Sequence, residues 1–190
     1  VAELAGALAA WMDAVGLKRA AFLGNSLGCQ IIAEFAVRQP SRIGRAIFVG
    51  PTADPQARFS LTHVVRLLRD VPREPPILIP LQGFDYLRAG VRRSASTFRF
   101  MLQHHVERVL PEMAAPTLVV RGGSDPIVPQ SWAEEVVRLL PDGKLVVIPG
   151  HAHCVHYSAP RELVRVVRPF LEGNLQESEV TGSTIAARGI

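Results

Sequence analysis

A serine stands between two glycines at Gly24, Ser26 and Gly28, in the pattern G-x-S-x-G. An apolar run precedes the pattern and a helical periodicity follows it, so the serine is predicted at a sharp turn from a strand into a helix. Such a turn crowds its own backbone, and we expect a side chain at either glycine to clash. The turn would expose the Ser26 hydroxyl, and the backbone N–H of Leu27 would stabilise a developing oxyanion.

Two further apolar runs end in the partners that a nucleophilic serine needs. Asp125 follows the run LVVRGG, and histidines at positions 151, 153 and 156 follow the run LVVIPG. The hydroxyl needs a base to take its proton, and the base needs an acid to orient it. The carboxyl ends of parallel strands meet at one edge of a sheet, and the chain order serine, acid, histidine is the one expected for this turn. The sequence therefore predicts a catalytic triad of Ser26, Asp125 and one of these histidines.

Short apolar runs alternate with amphipathic segments along most of the chain. The first helix is predicted to reach about Gly16, with an apolar face formed by Leu4, Leu8, Trp11, Met12 and Val15. Strands are predicted at 20–23 and 43–50 and in the segments APTLVVRGG and GKLVVIPG. Helices are predicted at 27–37 and in LTHVVRLLRDV, STFRFMLQHHVERVL, PQSWAEEVVRLLP and APRELVRVVRPFL. This alternation predicts an α/β fold with a parallel sheet and flanking helices.

Changes in composition and in hydrophobic periodicity divide the chain into four segments. Residues 1–51 form a core segment with the serine turn, and residues 116–172 form a core segment with the acid and histidine loops. Residues 52–115 are rich in arginine and proline and interrupt the alternation, which predicts a mostly helical cap inserted between two strands. The polar, aperiodic residues 173–190 are predicted to be a disordered tail.

The composition is that of a soluble globular protein of one domain, with 190 residues of which 48% are hydrophobic and 20% charged. The net charge of +4 comes mostly from scattered arginines, so we expect no nucleic-acid partner. No apolar run reaches the roughly 18 residues that a membrane helix needs. The two cysteines, Cys29 and Cys154, are far apart in sequence. We therefore expect no membrane attachment and two free thiols in a reducing compartment, the cytoplasm.

The acid and histidine loops resemble those of the α/β-hydrolase superfamily. The loop pattern G-x-x-D-x-x-x-P, common in that superfamily after the seventh strand, is matched by Gly122, Asp125 and Pro129. Members also carry a histidine seven residues before the proline that opens the last helix. Counting back from Pro160 selects His153 as the triad base.

The resemblance covers residues 1–171 and implies how the site would act. Ser26 would be the nucleophile, His153 its general base and Asp125 the acid that orients the histidine. The Leu27 N–H would contribute to the oxyanion hole. The resemblance further implies hydrolysis of a small-molecule ester or acyl substrate without a cofactor.

The start of the chain departs from the superfamily pattern. Members begin with several strands and a loop, often containing His-Gly, that gives the second oxyanion N–H, and no segment here matches them. The strand before Ser26 would then lie at an edge of a four-stranded sheet with unpaired backbone groups. We expect an N-terminally truncated sequence, and an inactive or non-catalytic fragment is one alternative for the chain itself.

The choice of reaction stays open between two serine-dependent classes. A carboxylesterase-like enzyme is favoured, and a carbon–carbon bond hydrolase of the meta-cleavage type is the alternative. Asn25 favours the second class, whose members often show G-N-S-x-G-G. Cys29 in place of the last glycine and Cys154 in place of a tryptophan favour the first. Ser26 argues against related enzymes that use an aspartate nucleophile.

Two other groups of residues have side chains that could take part in chemistry. His151, His153 and His156 form the spacing H-x-H-x-x-H, but a zinc site also needs converging acid or thiolate support, so we expect no metal. The three histidines of the cap are expected at the surface or against the substrate: His63, His104 and His105. Six residues of the cap could line an apolar substrate pocket or form the core of the cap itself: Phe84, Tyr86, Phe98, Phe100, Met101 and Leu102.

Overall fold

A computed structural model describes residues 1–57 and 61–175 of the chain. Its strands are β1 Ala20–Asn25, β2 Ile43–Val49, β3 Thr117–Gly122 and β4 Gly143–Ile148. Its first helices are α1 Ala2–Ala14, α2 Leu27–Arg38, α3 Leu61–Asp70, α4 Leu78–Ala89 and α5 Val91–Gln103. They are followed by α6 Val106–Val109, α7 Gln130–Leu139, α8 Val155–Ser158 and α9 Pro160–Glu172.

The four strands form one parallel sheet in the order β1-β2-β3-β4, with helices on both faces. Successive residues of β2 show how the sheet separates two cores. Ala46 and Phe48 belong to the core shared with α1, α2 and α7, whereas Ile47 and Val49 belong to the core shared with α9. A strand that packs on both faces needs an unbroken apolar run, because its side chains alternate between the faces. The predicted α/β fold is confirmed.

The buried face of α1 agrees with the predicted one at Leu8 and Met12 and differs at the other three positions. Ala5 and Met12 are buried, whereas Leu4, Trp11 and Val15 are about half exposed. The helix packs against α2, and small alanine side chains allow the two helices to approach closely. Leu4, Trp11 and Val15 lie outside the buried face and Ala5 belongs to it, so side-chain hydropathy alone did not place the face correctly.

The residues between β2 and β3, called the insertion (52–115), are mainly helical. The predicted helix at 96–110 is interrupted, since α5 ends at Gln103 and His104 has extended backbone angles. Helix α4 was not predicted, because its start lies in the proline-rich stretch. Pro80 is tolerated there because it lies in the first turn, where a backbone N–H has no helical partner. That the insertion covers a substrate stays a prediction.

The structure bears on the predictions made for the cysteines, for membrane attachment and for the tail. Both Cys29 and Cys154 are buried free cysteines. Among the described residues, every helix is too short or too polar to traverse a lipid bilayer. The predicted disordered tail lies outside the described residues from position 176 onward.

Candidate active site

Ser26 occupies the junction between β1 and α2 in a conformation that few residues other than glycine adopt, with φ 53° and ψ −116°. A Cβ on Gly24 would lie 2.6 Å from the backbone carbon of Gly28 and 2.7 Å from Ile32 Cδ1. A Cβ on Gly28 would meet nothing within 4 Å. The predicted clash is therefore confirmed at Gly24 and wrong at Gly28, because only the first position faces the returning helix backbone.

This asymmetry predicts opposite effects of two alanine substitutions. Gly24→Ala should destabilise the protein by about 1–3 kcal/mol or more, because the helix backbone cannot move away from the new methyl group without shifting Ser26. Gly28→Ala is the matched control and should be neutral or stabilising by up to about 1 kcal/mol, since alanine favours a helix over glycine. Urea unfolding curves of both variants measure this difference. Equal destabilisation would contradict the described turn.

Asp125 and His153 form a buried hydrogen-bonded pair at the ends of β3 and β4. Asp125 Oδ2 lies 2.9 Å from His153 Nδ1. The other oxygen, Oδ1, accepts the backbone N–H groups of Ile127 and Val128 at 2.8 and 3.0 Å. An ionised Asp125 only accepts hydrogen bonds, so the proton of a neutral His153 lies on Nδ1 and leaves Nε2 as the basic nitrogen.

A buried arginine that the sequence analysis did not single out holds the acid loop. Arg121 donates from Nε to the carbonyl oxygen of Val128 at 2.6 Å and from a terminal nitrogen to that of Asp125 at 2.9 Å. It also donates to the carbonyl oxygen of Gly123 at 3.2 Å. These three carbonyls fix the loop around the carboxylate. The feature of the sequence that could have indicated this role is the position of Arg121 in β3, just before the acid loop.

Ser26 and His153 line one cavity of about 550 Å³. In the described part of the chain, the Ser26 hydroxyl is hydrogen-bonded to Thr52 Oγ1 at 3.3 Å rather than to His153. Hydrogen bonds between a nucleophile and its base are often long in an empty site and tighten when substrate binds.

Gly50, which directly follows β2, lies close to the Asp125–His153 pair. Gly50 has a φ of +54°, and a Cβ there would lie 2.8 Å from His153 Nδ1 and 3.4 Å from Asp125 Oδ2. The Asn25 amide donates to the carbonyl oxygens of Val49 at 3.2 Å and of His153 at 3.5 Å. β2 and the residue before the serine thus support the histidine loop through the backbone.

Two carboxylates of the insertion hold the same histidine loop from the other side. Asp70 Oδ1 accepts the backbone N–H of His153 at 3.4 Å, and Glu74 Oε1 accepts that of Cys154 at 2.6 Å. The sequence analysis did not propose either residue. No local pattern marks them, because they lie some 80 positions away from their partners in the chain.

The charges around His153 favour its protonated form. Burial is the strongest influence and lowers the pKa of His153, but the hydrogen bond and charge of Asp125 and the charges of Asp70 and Glu74 outweigh it, so the pKa is raised. Burial raises the pKa of Asp70 to about 6; nearby carboxylates add to this rise, and His153 opposes it. A base whose imidazolium is stabilised accepts a serine proton more readily.

The remaining histidines have separate surroundings. His151 Nδ1 lies 3.2 Å from Ser158 Oγ, and His156 is exposed. Among the described residues, no group of three or more His, Cys, Asp or Glu side chains could hold a metal ion. His104 Nε2 lies 2.9 Å from Glu34 Oε1, whereas His63 lines the cavity.

The aromatic and apolar residues proposed for a pocket divide into two groups. Tyr86, Phe98 and Met101 line the cavity. Phe84 and Phe100 are more than half exposed. A smaller adjoining cavity of about 350 Å³ shares Ser26 with the first and is also lined by residues that include Leu27 and Arg93.

Comparison with known proteins gives a family and several relatives. A family model described as "Alpha/beta hydrolase family" matches residues 1–166. The chain is 27% identical to 2-hydroxy-6-oxononadienedioate/2-hydroxy-6-oxononatrienedioate hydrolase 2 of Pseudomonas putida, over 87% of this chain and 67% of that protein. It is 29% identical to serine hydrolase BPHL of Mus musculus, over 85% of this chain and 57% of that protein.

Solved structures support the same architecture. The crystal structure of Est816, described as an N-acyl homoserine lactone degrading enzyme, matches with a TM-score of 0.72 and 19% sequence identity, over 89% of this chain and 74% of that one. At this identity the match shows the fold. The chain spans 57% to 67% of the length of the two curated relatives named above.

Proposed function

Because this chain belongs to the alpha/beta hydrolase family, we propose that it cleaves a carboxylic ester or related acyl bond with Ser26 as nucleophile. The observation that carries the proposal is the buried Asp125–His153 pair on the same cavity as Ser26. Ser26 lies at a strained turn, and the two other residues follow separate strands of one sheet edge. A serine hydroxyl in this arrangement becomes activated when it hydrogen-bonds to the histidine.

In the proposed mechanism, Ser26 Oγ attacks the substrate carbonyl carbon while His153 Nε2 takes the hydroxyl proton. Asp125 holds the resulting imidazolium, and the Leu27 N–H stabilises the oxyanion. The tetrahedral intermediate collapses to an acyl-enzyme, and His153 gives the proton to the leaving alcohol. Water then attacks the acyl carbon, with His153 again as base, and the carboxylic acid leaves while Ser26 regains its proton.

The charge of the cavity favours ester hydrolysis over cleavage of a meta-cleavage product. The name of the Pseudomonas putida relative gives a substrate with two carboxylates. In this chain Asp70 and Glu74 line the cavity next to His153. A doubly anionic substrate would meet like charges there, whereas a neutral or positively charged ester would not.

Carbon–carbon bond hydrolysis is the second candidate, and two observations favour it. Asn25 precedes the serine, and the relatives include proteins named as hydrolases of 2-hydroxy-6-oxo dienoate compounds. Arg93 on the adjoining cavity could receive a substrate carboxylate at that end. Turnover of a dienoate ring-cleavage product without turnover of short p-nitrophenyl esters would place this candidate first.

The experiment that tests the proposed function is covalent labelling with a fluorophosphonate, read by intact mass. We expect one adduct on the chain and none on Ser26→Ala. The single adduct requires an activated Ser26, so a folded chain that stays unlabelled would contradict the proposal for the chain as it stands. Labelling of Ser26→Ala at the same rate would show that another residue reacts.

A further inference from the structure

The cavity beside Ser26 has an acidic wall formed by Asp70 and Glu74. Each carboxylate uses one oxygen to accept a backbone N–H of the histidine loop. The second oxygen of Glu74, Oε2, is buried and has no hydrogen-bond partner. Burying a carboxylate oxygen without a donor costs free energy, so an added donor at this wall would be stabilising.

The cations near this wall do not neutralise it. Among the described residues that line the cavity there is no lysine or arginine. Arg66 is bound to Asp54 at 2.6 Å, and Arg93 lies on the adjoining cavity. When His153 is neutral and ready to act as a base, the charges that face the cavity are therefore negative.

His63 is a second and independent sign of a polar ligand. Its side chain is 2% exposed, it lines the same cavity, and neither ring nitrogen has a hydrogen-bond partner. Burial, helped by the charges of Arg66 and His153, lowers its pKa, so the neutral ring offers one acceptor and one donor. A purely apolar substrate would leave both nitrogens and the Glu74 oxygen unsatisfied.

We propose that Asp70 and Glu74 form a subsite for an ammonium group, so that the substrate is an ester or related acyl compound that carries a protonated amine. The inference rests on the proposed function, because Ser26 must cleave the acyl bond. A primary ammonium brings three N–H donors and a positive charge, which suits a wall of unneutralised acceptors. His63 would hydrogen-bond another polar atom of the same substrate.

A pair of isosteric esters tests this subsite. In benzyl β-alaninate an ammonium replaces the terminal methyl group of benzyl butyrate, and the benzyl alcohol released from each is measured by chromatography at pH 7.5. We expect kcat/KM for the charged ester to exceed that for the neutral one by roughly 10- to 100-fold, as hydrogen bonds to charged groups contribute. The ratio should fall to about one in the double variant Asp70→Asn, Glu74→Gln, as loss of those bonds implies.

The choice of variants separates recognition from support of the histidine loop. The amide side chains still accept the backbone N–H groups of His153 and Cys154, and a common loss of catalysis cancels in the ratio. Asp85→Asn is the matched control, because Asp85 is an exposed carboxylate of the same insertion and does not line the cavity. Its ratio should equal that of the parent chain.

Binding of butylammonium and of 1-butanol, followed by ligand-observed NMR, decides the inference without catalysis. Butylammonium should bind the parent chain and not the double variant, and 1-butanol should not distinguish them. Turnover of benzyl butyrate without a preference for the charged ester would overturn the subsite and leave the proposed function intact. If neither ester reacts, the proposed ester hydrolysis fails, and the butylammonium result alone supports or refutes the subsite.

Discussion

His153→Ala is expected to lower kcat by about 10⁴- to 10⁶-fold, the range seen when the base of such a triad is removed. The loss follows because Ser26 then has no side chain to take its proton. Hydrolysis of p-nitrophenyl butyrate and the rate of fluorophosphonate labelling at Ser26 both measure the effect. His153→Gln should show a similar loss and guards against a fold disturbed by the unpaired Asp125.

The neighbouring histidines are the matched controls for this experiment. His151→Ala and His156→Ala should change kcat by no more than about threefold, because the first contacts Ser158 and the second is exposed. Circular dichroism checks that each variant is folded. A large loss in all three variants, restored by added zinc, would instead indicate a metal site and contradict the proposed role of His153.

Asp125→Asn is expected to lower kcat by about 10⁴-fold with little change in fold, as for other triads of this kind. The backbone N–H groups of Ile127 and Val128 both point at Oδ1, so the amide oxygen of the asparagine must face them. Its NH₂ then faces His153 and requires Nδ1 to accept. The imidazole proton moves to Nε2, where it blocks the proton transfer from Ser26.

The pH dependence of the residual activity provides a second readout of this variant. Asp125 raises the pKa of His153, and burial lowers it. Without the carboxylate the pKa should fall, and His153 becomes neutral at a lower pH. The acid limb of kcat/KM should therefore shift to lower pH relative to the parent chain. An unchanged limb together with near-normal kcat would show that Asp125 only supports the loop.

The residues of the candidate site differ in how far the sequence could reveal them. Ser26, Asp125 and His153 each follow an apolar strand, so parallel topology alone predicts that they approach one another. The hydrogen bond between Asp125 and His153 is consistent with this prediction for those two residues. Local periodicity carried that information, because a strand end is visible in the sequence itself.

Other features depend on contacts that no local pattern encodes. Asp70 and Glu74 reach the histidine loop from the insertion, some 80 positions away along the chain. The buried face of α1 was misjudged in part, because Ala5 faces the core while the larger Leu4, Trp11 and Val15 do not. Helix α4 was missed because prolines at its start were interpreted as an interruption rather than as a first turn.

The order of the strands has a consequence for how the site fluctuates. In the described sheet β1 and β4 each pair with a single neighbour, while β2 and β3 are paired on both sides. Local opening begins at such outer strands, so amide hydrogens of β2 and β3 should exchange with deuterium most slowly. Ser26 and His153 follow the two outer strands, and Asp125 follows an inner one. The Ser26 hydroxyl and the His153 imidazole, between which the proton would move, thus follow the strands of the described sheet that open first. A ligand that contacts both residues in the cavity should slow deuterium exchange in β1 and β4 together.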